Sequence, residues 1–166
     1  MKKFQLITIL FFTIIIISCN NKKKTEPMST KADKNKLEAI FPKGNLGSKE
    51  FFTGNAYHMS LVNADTIFTT AVGNVYFEPG ARSNWHSHPA GQILIITDGI
   101  GYHQLEDHPI EIIKKGDVIK CPPNVKHWHG ASPDTGLQQL YIVPNTEKGI
   151  VEWMETVNDQ QYNSIK

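Results

Sequence analysis

From Asn55 to Pro144 apolar and polar residues alternate in short runs, broken about every eight to twelve residues by Gly, Pro, Asn or Asp. A period of two is the signature of a strand with one face turned inward. The pattern predicts strands over Ala56–Leu61, Thr69–Phe77, Trp85–His88, Gln92–Asp98, Gly101–Gln104, Pro109–Ile113, Asp117–Cys121, His127–Gly130 and Gln138–Val143. No window in this region sustains a helical period. Helix is expected only over Lys34–Ile40 and in a short turn starting at Asp159. Many short, regularly spaced strands make an all-β sandwich or closed barrel.

Before Ala56 the pattern changes character. Lys2 and Lys3 precede an apolar run, Phe4–Ile17, too short to span a bilayer comfortably and typical of a signal-peptide core. The run ends in Ile16-Ile17-Ser18-Cys19, which resembles a bacterial lipobox and so implies lipidation of Cys19. The other reading is an uncleaved signal anchor with a chance cysteine. Residues 1–18 are thus expected to be a lipoprotein signal peptide, 19–36 a flexible polar tether and 37–166 the folded domain. Acyl chains on Cys19 would hold that domain to a membrane of the bacterial cell envelope.

Composition narrows the picture further. The 166 residues suit one domain, and 40% hydrophobic content is enough for one core. A net charge of +1 gives no reason to expect nucleic-acid binding, and the run Lys22–Lys24 reads as part of the solvated tether. With Cys19 lipidated, Cys121 has no intramolecular partner, which excludes a disulfide-stapled fold. Cys121 reads as a small buried apolar residue.

The chemistry lies in the histidines. His86 and His88 share one face of a predicted strand, and His127 and His129 repeat that geometry on another. Any one of them would pass for a core residue. Two His-x-His pairs are harder to account for that way, because buried imidazoles without partners are costly. Converging neutral imidazoles suit a divalent cation.

The spacing around them is more specific. Gly80, His86, His88, Gln92 and Gly99 resemble the first motif of the cupin superfamily, and Gly116, Pro122, Asn124 and His127 resemble the second. The resemblance covers about residues 73–143 and implies a double-stranded β-helix, or jelly-roll barrel, with its core at about 70–144. It further implies that His86, His88, Gln92 and His127 ligate one divalent metal ion, leaving open positions for water or substrate. Mn²⁺ or Fe²⁺ is expected ahead of Zn²⁺ or Ni²⁺. Gln92 stands where most cupins have Glu, Asn124 where a turn Gly is usual, and Ala131 where Asn often ends the motif.

Longer stretches, including Phe77-Glu78-Pro79-Gly80-Ala81-Arg82, His86-Ser87-His88-Pro89-Ala90-Gly91-Gln92 and Lys126-His127-Trp128-His129-Gly130-Ala131, are similar to small bacterial manganese cupins. That group includes hydroxynitrile lyases and the cupin halves of carboxymuconolactone-decarboxylase fusions. The lyases' histidine base corresponds by position to Gln139, which cannot accept a proton. His129 is then the candidate acid or base, or else a residue that orients water or ligand.

By strand parity Gly73, Val75 and Phe77 line one pocket wall, and Gln139, Tyr141 and Val143 another. Gly73 is expected to leave room for substrate and Tyr141 to offer a weak acid or a hydrogen-bond donor. Core packing is the simpler account of Val75, Phe77 and Val143. His58 and His108 read as edge residues without a role, the parity of His103 is open, and Glu78 and Arg82 read as a loop ion pair. Trp85 and Trp128 should pack outward, against a partner subunit or the C-terminal segment. The expected function is metal-dependent lyase or isomerase chemistry on a small oxygenated molecule. A non-catalytic small-molecule binding or sensing lipoprotein and an Fe-dependent dioxygenase are the alternatives. A homodimer paired through the strands before Gly73 is expected.

Overall fold

The computed structural model describes residues 39–165. The expected signal segment, Cys19, the tether and most of the helix expected over Lys34–Ile40 lie outside them, and Ala39 and Ile40 are not helical. Twelve strands follow in order. They are β1 (Asn45–Leu46), β2 (Phe52–Thr53), β3 (Ala56–Val62), β4 (Ala71–Phe77), β5 (Arg82–Ser83) and β6 (His86–Ser87). Then come β7 (Gln92–Leu105), β8 (Glu111–Lys114), β9 (Val118–Cys121), β10 (His127–Ala131), β11 (Leu137–Val143) and β12 (Glu152–Trp153). A 3₁₀ turn (Thr146–Lys148) separates β11 from β12, and helix α1 (Asp159–Tyr162) follows. Among the described residues no helix is long and apolar enough to cross a membrane.

All pairings are antiparallel, and they form two sheets that share β7. The first half of β7 pairs with β11 and β9, while its second half pairs with β10 and β8. Two predicted strands, Gln92–Asp98 and Gly101–Gln104, are therefore one strand of 14 residues. The Gly99 that suggested a break is the point where this strand changes sheets. Its φ of 85° is open to glycine at no steric cost. The two curled sheets make a barrel, as the strand spacing anticipated, and it is the double-stranded β-helix that the motif resemblance implied.

The core between the sheets contains Phe77, Leu94, Ile96, Ile113 and Leu137, all essentially inaccessible to solvent. A second cluster of Trp85, Trp128, Val157 and Tyr162 lies outside the barrel, so the tryptophans do pack outward, against the C-terminal segment. Arg82 fastens that segment. Its Nε donates to the Val157 carbonyl at 3.0 Å, and its Nη2 meets Asp159 at 2.6 Å. The expected Glu78–Arg82 pair is therefore not formed, because Glu78 meets Lys43 at 2.7 Å instead. Arg82 is buried, with its guanidinium turned to Asp159 and Val157 of the C-terminal segment and to its neighbouring Gly80 carbonyl at 3.4 Å.

Candidate metal centre

β6 and β10 lie side by side with His86 opposite His127, and β7 flanks β10 with His103 opposite His129. This register stacks the imidazoles from several strands around one point inside the barrel. The His86 ring centroid is 4.3 Å from that of His127, 5.1 Å from His129 and 5.2 Å from His88. One ring nitrogen from each of His86, His127 and His129 lies within 4.8 Å of the others. Gln92, the first residue of β7, places Oε1 3.2 Å from His127 Nε2. The β9–β10 turn closes the cluster. Asn124 sits there at φ 60°, a left-handed conformation asparagine tolerates, and its N–H donates to the His88 carbonyl at 2.9 Å.

The hydrogen bonds fix the tautomers. A backbone carbonyl can only accept, so the Nδ1 that faces one must carry the single hydrogen of a neutral imidazole. His86 Nδ1 donates to the Asn84 carbonyl at 2.9 Å, His127 Nδ1 to Val125 at 2.9 Å, and His88 Nδ1 to Ile150 at 2.5 Å. With that one hydrogen on Nδ1, all three neutral histidines turn a bare Nε2 inward, the arrangement that orients histidine ligands at metal sites. His127 Nε2 then faces the Gln92 Oε1 lone pair at 3.2 Å, a juxtaposition that a shared cation would satisfy. His129 differs. The Gln139 amide donates to its Nδ1 at 2.9 Å, leaving the hydrogen on Nε2 and making His129 a donor towards the cluster. The Nε2 atoms of His88 and His129 are buried with no hydrogen-bond partner among the described residues. A cation would satisfy the bare His88 Nε2, and an acceptor atom on a bound ligand the His129 Nε2–H, so the residues present fit a metal with a ligand beside it.

Burial also keeps these rings neutral at physiological pH. It pulls His127 down to about 3, with the neighbouring His88 and His103 adding to the effect. His86 and His129 are held well below the ordinary imidazole value, and His88 is lowered, chiefly by desolvation. Neutral imidazoles are the form that ligates metal.

The Cupin domain family matches residues 73–143. A relative named (R)-mandelonitrile lyase, from Granulicella tundricola, is 44% identical over 116 residues, which cover 70% of this chain and 88% of the relative. The chain belongs to the cupin superfamily. A cupin-like protein from Thermotoga maritima is 47% identical with a TM-score of 0.75, over 78% of this cupin and 98% of that chain. A protein with a double-stranded β-helix domain from Klebsiella pneumoniae shares the fold at 17% identity. Its TM-score is 0.55, over 70% of this chain and 97% of its own.

Beside the imidazoles this cupin has a cavity of about 190 Å³, whose walls include Phe52, Val75, Val143, Ile150, Val151 and Trp153. An engineered apolar cavity of about 150 Å³ accepts benzene, so a one-ring molecule fits the space. Three residues expected in the pocket wall do not face it. Gly73 leaves no room for substrate, because the Tyr141 ring occupies the space beside it. Phe77 is in the core, edge-on to His129, and Gln139 sits behind His129 as its hydrogen-bond partner. Val75, Tyr141 and Val143 do line the cavity.

Several contributors escaped the sequence reading. His58, expected to be an idle edge residue, lines the cavity with its Nε2 2.8 Å from the Tyr141 hydroxyl. Its inward direction depends on β3 pairing with β4, where His58 lies opposite Val75, and no local pattern reveals that register. Trp153 covers His86 at 4.9 Å between rings, and the Ile150 carbonyl holds His88. Ile150 lies in a loop and Trp153 on the two-residue β12, too short to show a period. His103 proves to be buried, with Nε2 3.4 Å from Cys121 Sγ and Nδ1 3.5 Å from Glu111. His108 is exposed, as expected.

Proposed function

We propose that this cupin is a divalent-metal-dependent lyase that cleaves a small cyanohydrin, releasing a carbonyl compound and hydrogen cyanide. The observation that carries the reading is the inward set of bare Nε2 atoms on His86, His88 and His127 beside a small, largely apolar cavity. The relative named (R)-mandelonitrile lyase supplies the substrate class. In this reading His86, His88, His127 and Gln92 Oε1 hold the ion, with Mn²⁺ or Fe²⁺ favoured over Zn²⁺ or Ni²⁺. A cation held there would act as a Lewis acid towards a substrate oxygen. His129 would donate from Nε2 to the substrate, held in that tautomer by Gln139, and the apolar walls would seat the organic group and exclude water. Lipid on Cys19 would keep the domain at the cell envelope.

The test is metal analysis of the full chain alongside cleavage of mandelonitrile, followed through benzaldehyde release. The wild type should hold near-stoichiometric Mn or Fe and release benzaldehyde, while a His86→Ala/His88→Ala variant should do neither. A wild-type protein that takes up no metal on reconstitution would sink the proposal.

A further inference from the structure

Cleaving a cyanohydrin needs a group that takes the hydroxyl proton and another event that gives a proton to the departing cyanide. Gln139 cannot do the first, since an amide has no basic nitrogen. The imidazoles of His86, His88 and His127 present their lone pairs to one another's cluster, and His129 presents a hydrogen. The titratable groups left on the cavity wall are His58 on β3 and Tyr141 on β11, facing each other across β4.

Their geometry is that of a proton-sharing pair. Tyr141 Oη is 2.8 Å from His58 Nε2, and the two rings stack at 5.6 Å with an angle of 16° between them. Gly73 makes the arrangement possible. It stands opposite Tyr141 in the β4–β11 register, and a Cβ there would come within 2.5 Å of Cε1, Cζ and Oη of the tyrosine. Any larger residue would push the phenol away from His58. Both rings are only partly buried, Tyr141 packing on the edge of the core.

We propose that His58 and Tyr141 form the general acid–base pair of this cavity, with Gly73 as the residue that lets them meet; the assignment rests on the lyase reading above. In the tautomer that leaves Nε2 bare, Tyr141 donates its hydrogen bond to His58. Tyr141 Oη then takes the cyanohydrin hydroxyl proton as its own proton passes to His58 Nε2. The oxygen lone pair becomes the second carbon–oxygen bond, and the bond to the nitrile carbon breaks with its electrons leaving on cyanide. The proton returns from His58 through Tyr141 to cyanide, so carbonyl and hydrogen cyanide depart and both side chains regain their starting forms. Partial burial favours this return, since desolvation lowers the His58 pKa and makes its imidazolium a ready donor.

The experiment compares mandelonitrile cleavage by the metal-loaded wild type with H58Q, Y141F, the double variant and G73A, measuring metal content in each. The wild type should turn over. H58Q and Y141F should keep their metal and KM within about threefold while kcat falls about a hundredfold or more, the range general acid–base catalysis supplies. The double variant should be no worse than the poorer single one, because the two residues act as a unit, and G73A should lose kcat similarly. A rise in KM with kcat intact, or full turnover in H58Q, overturns the pair and leaves the lyase reading standing. No turnover by the metal-loaded wild type overturns the lyase reading and this role with it.

Discussion

Gln92 Oε1 lies 3.2 Å from His127 Nε2, joining the first residue of β7 to the first residue of β10 inside the barrel. A neutral amide in that place leaves a bound divalent cation's charge less compensated than a carboxylate would. Gln92→Glu should therefore tighten Mn²⁺ binding by about tenfold or more, equivalent to about 1.4 kcal/mol. It should at the same time slow turnover, because an added negative charge weakens the ion as a Lewis acid. Chelator competition and steady-state rates measure the two effects. Tighter binding with faster turnover would contradict the argument.

Acid should destabilise the metal-free protein earlier than an ordinary domain. His127 titrates at about 3 in the fold, and His86, His88 and His129 are also shifted down, against about 6.5 when unfolded. Below about pH 6.5 the unfolded chain takes up protons that the folded chain refuses. Stability is thus complete above that pH and lost as pH falls towards the folded values. Each such histidine contributes a slope of up to about 1.4 kcal/mol per pH unit. Urea midpoints of metal-free protein at pH 7, 6 and 5 should fall steeply, and His127→Gln should flatten the curve. Equal midpoints at pH 7 and 5 would refute the account.

The parts of this site legible in the sequence are those that depend on one strand at a time. The i, i+2 spacing of His86/His88 and of His127/His129 is enough to put each pair on one face, whatever the rest of the chain does. His58 is different, because its neighbour Tyr141 is 83 residues away and reaches it across β4. That meeting needs the β3–β4–β11 register and the missing side chain at Gly73, and neither leaves a local trace. The expectation that Gly73 opens space was right about its small size and wrong about the occupant. Long β7 was split at Gly99 for a similar reason, since a glycine that bends a strand between sheets has the same local appearance as one that ends it. The Arg82 partner lies 77 residues on, beyond any pattern of loop charges.

Cys121 should be inert in the folded protein. It is buried against His103, and burial pushes its thiol up to about 12, so almost no thiolate exists at neutral pH. In a Cys19→Ser chain, which removes the other cysteine, a disulfide reagent should label no thiol under native conditions and one in urea. Rapid native labelling would show that the β9 end opens readily. The same Cys19→Ser substitution should move the protein from the membrane to the soluble fraction of cells, if lipid on that residue is the anchor.

Tyr162 ties the C-terminal segment to the barrel more strongly than its short helix suggests. Its hydroxyl donates to the Ala131 carbonyl at 2.7 Å, its ring packs against Trp128 at 6.0 Å, and the Arg82 guanidinium lies 4.5 Å over its face. α1 has only four residues and could not hold itself by backbone bonds alone, so this docking is what fixes it. Tyr162→Phe keeps the ring and removes only the hydroxyl, leaving a buried carbonyl short of a donor. The cost should be about 1–2 kcal/mol. Tyr57→Phe is the comparator, since its hydroxyl meets Glu78 at 3.3 Å in a half-buried place and its loss should cost less than about 0.5 kcal/mol. Urea denaturation of the two variants gives the comparison directly. Equal costs would mean that the Tyr162 hydroxyl adds nothing to the hold on the C-terminal segment beyond the ring's packing.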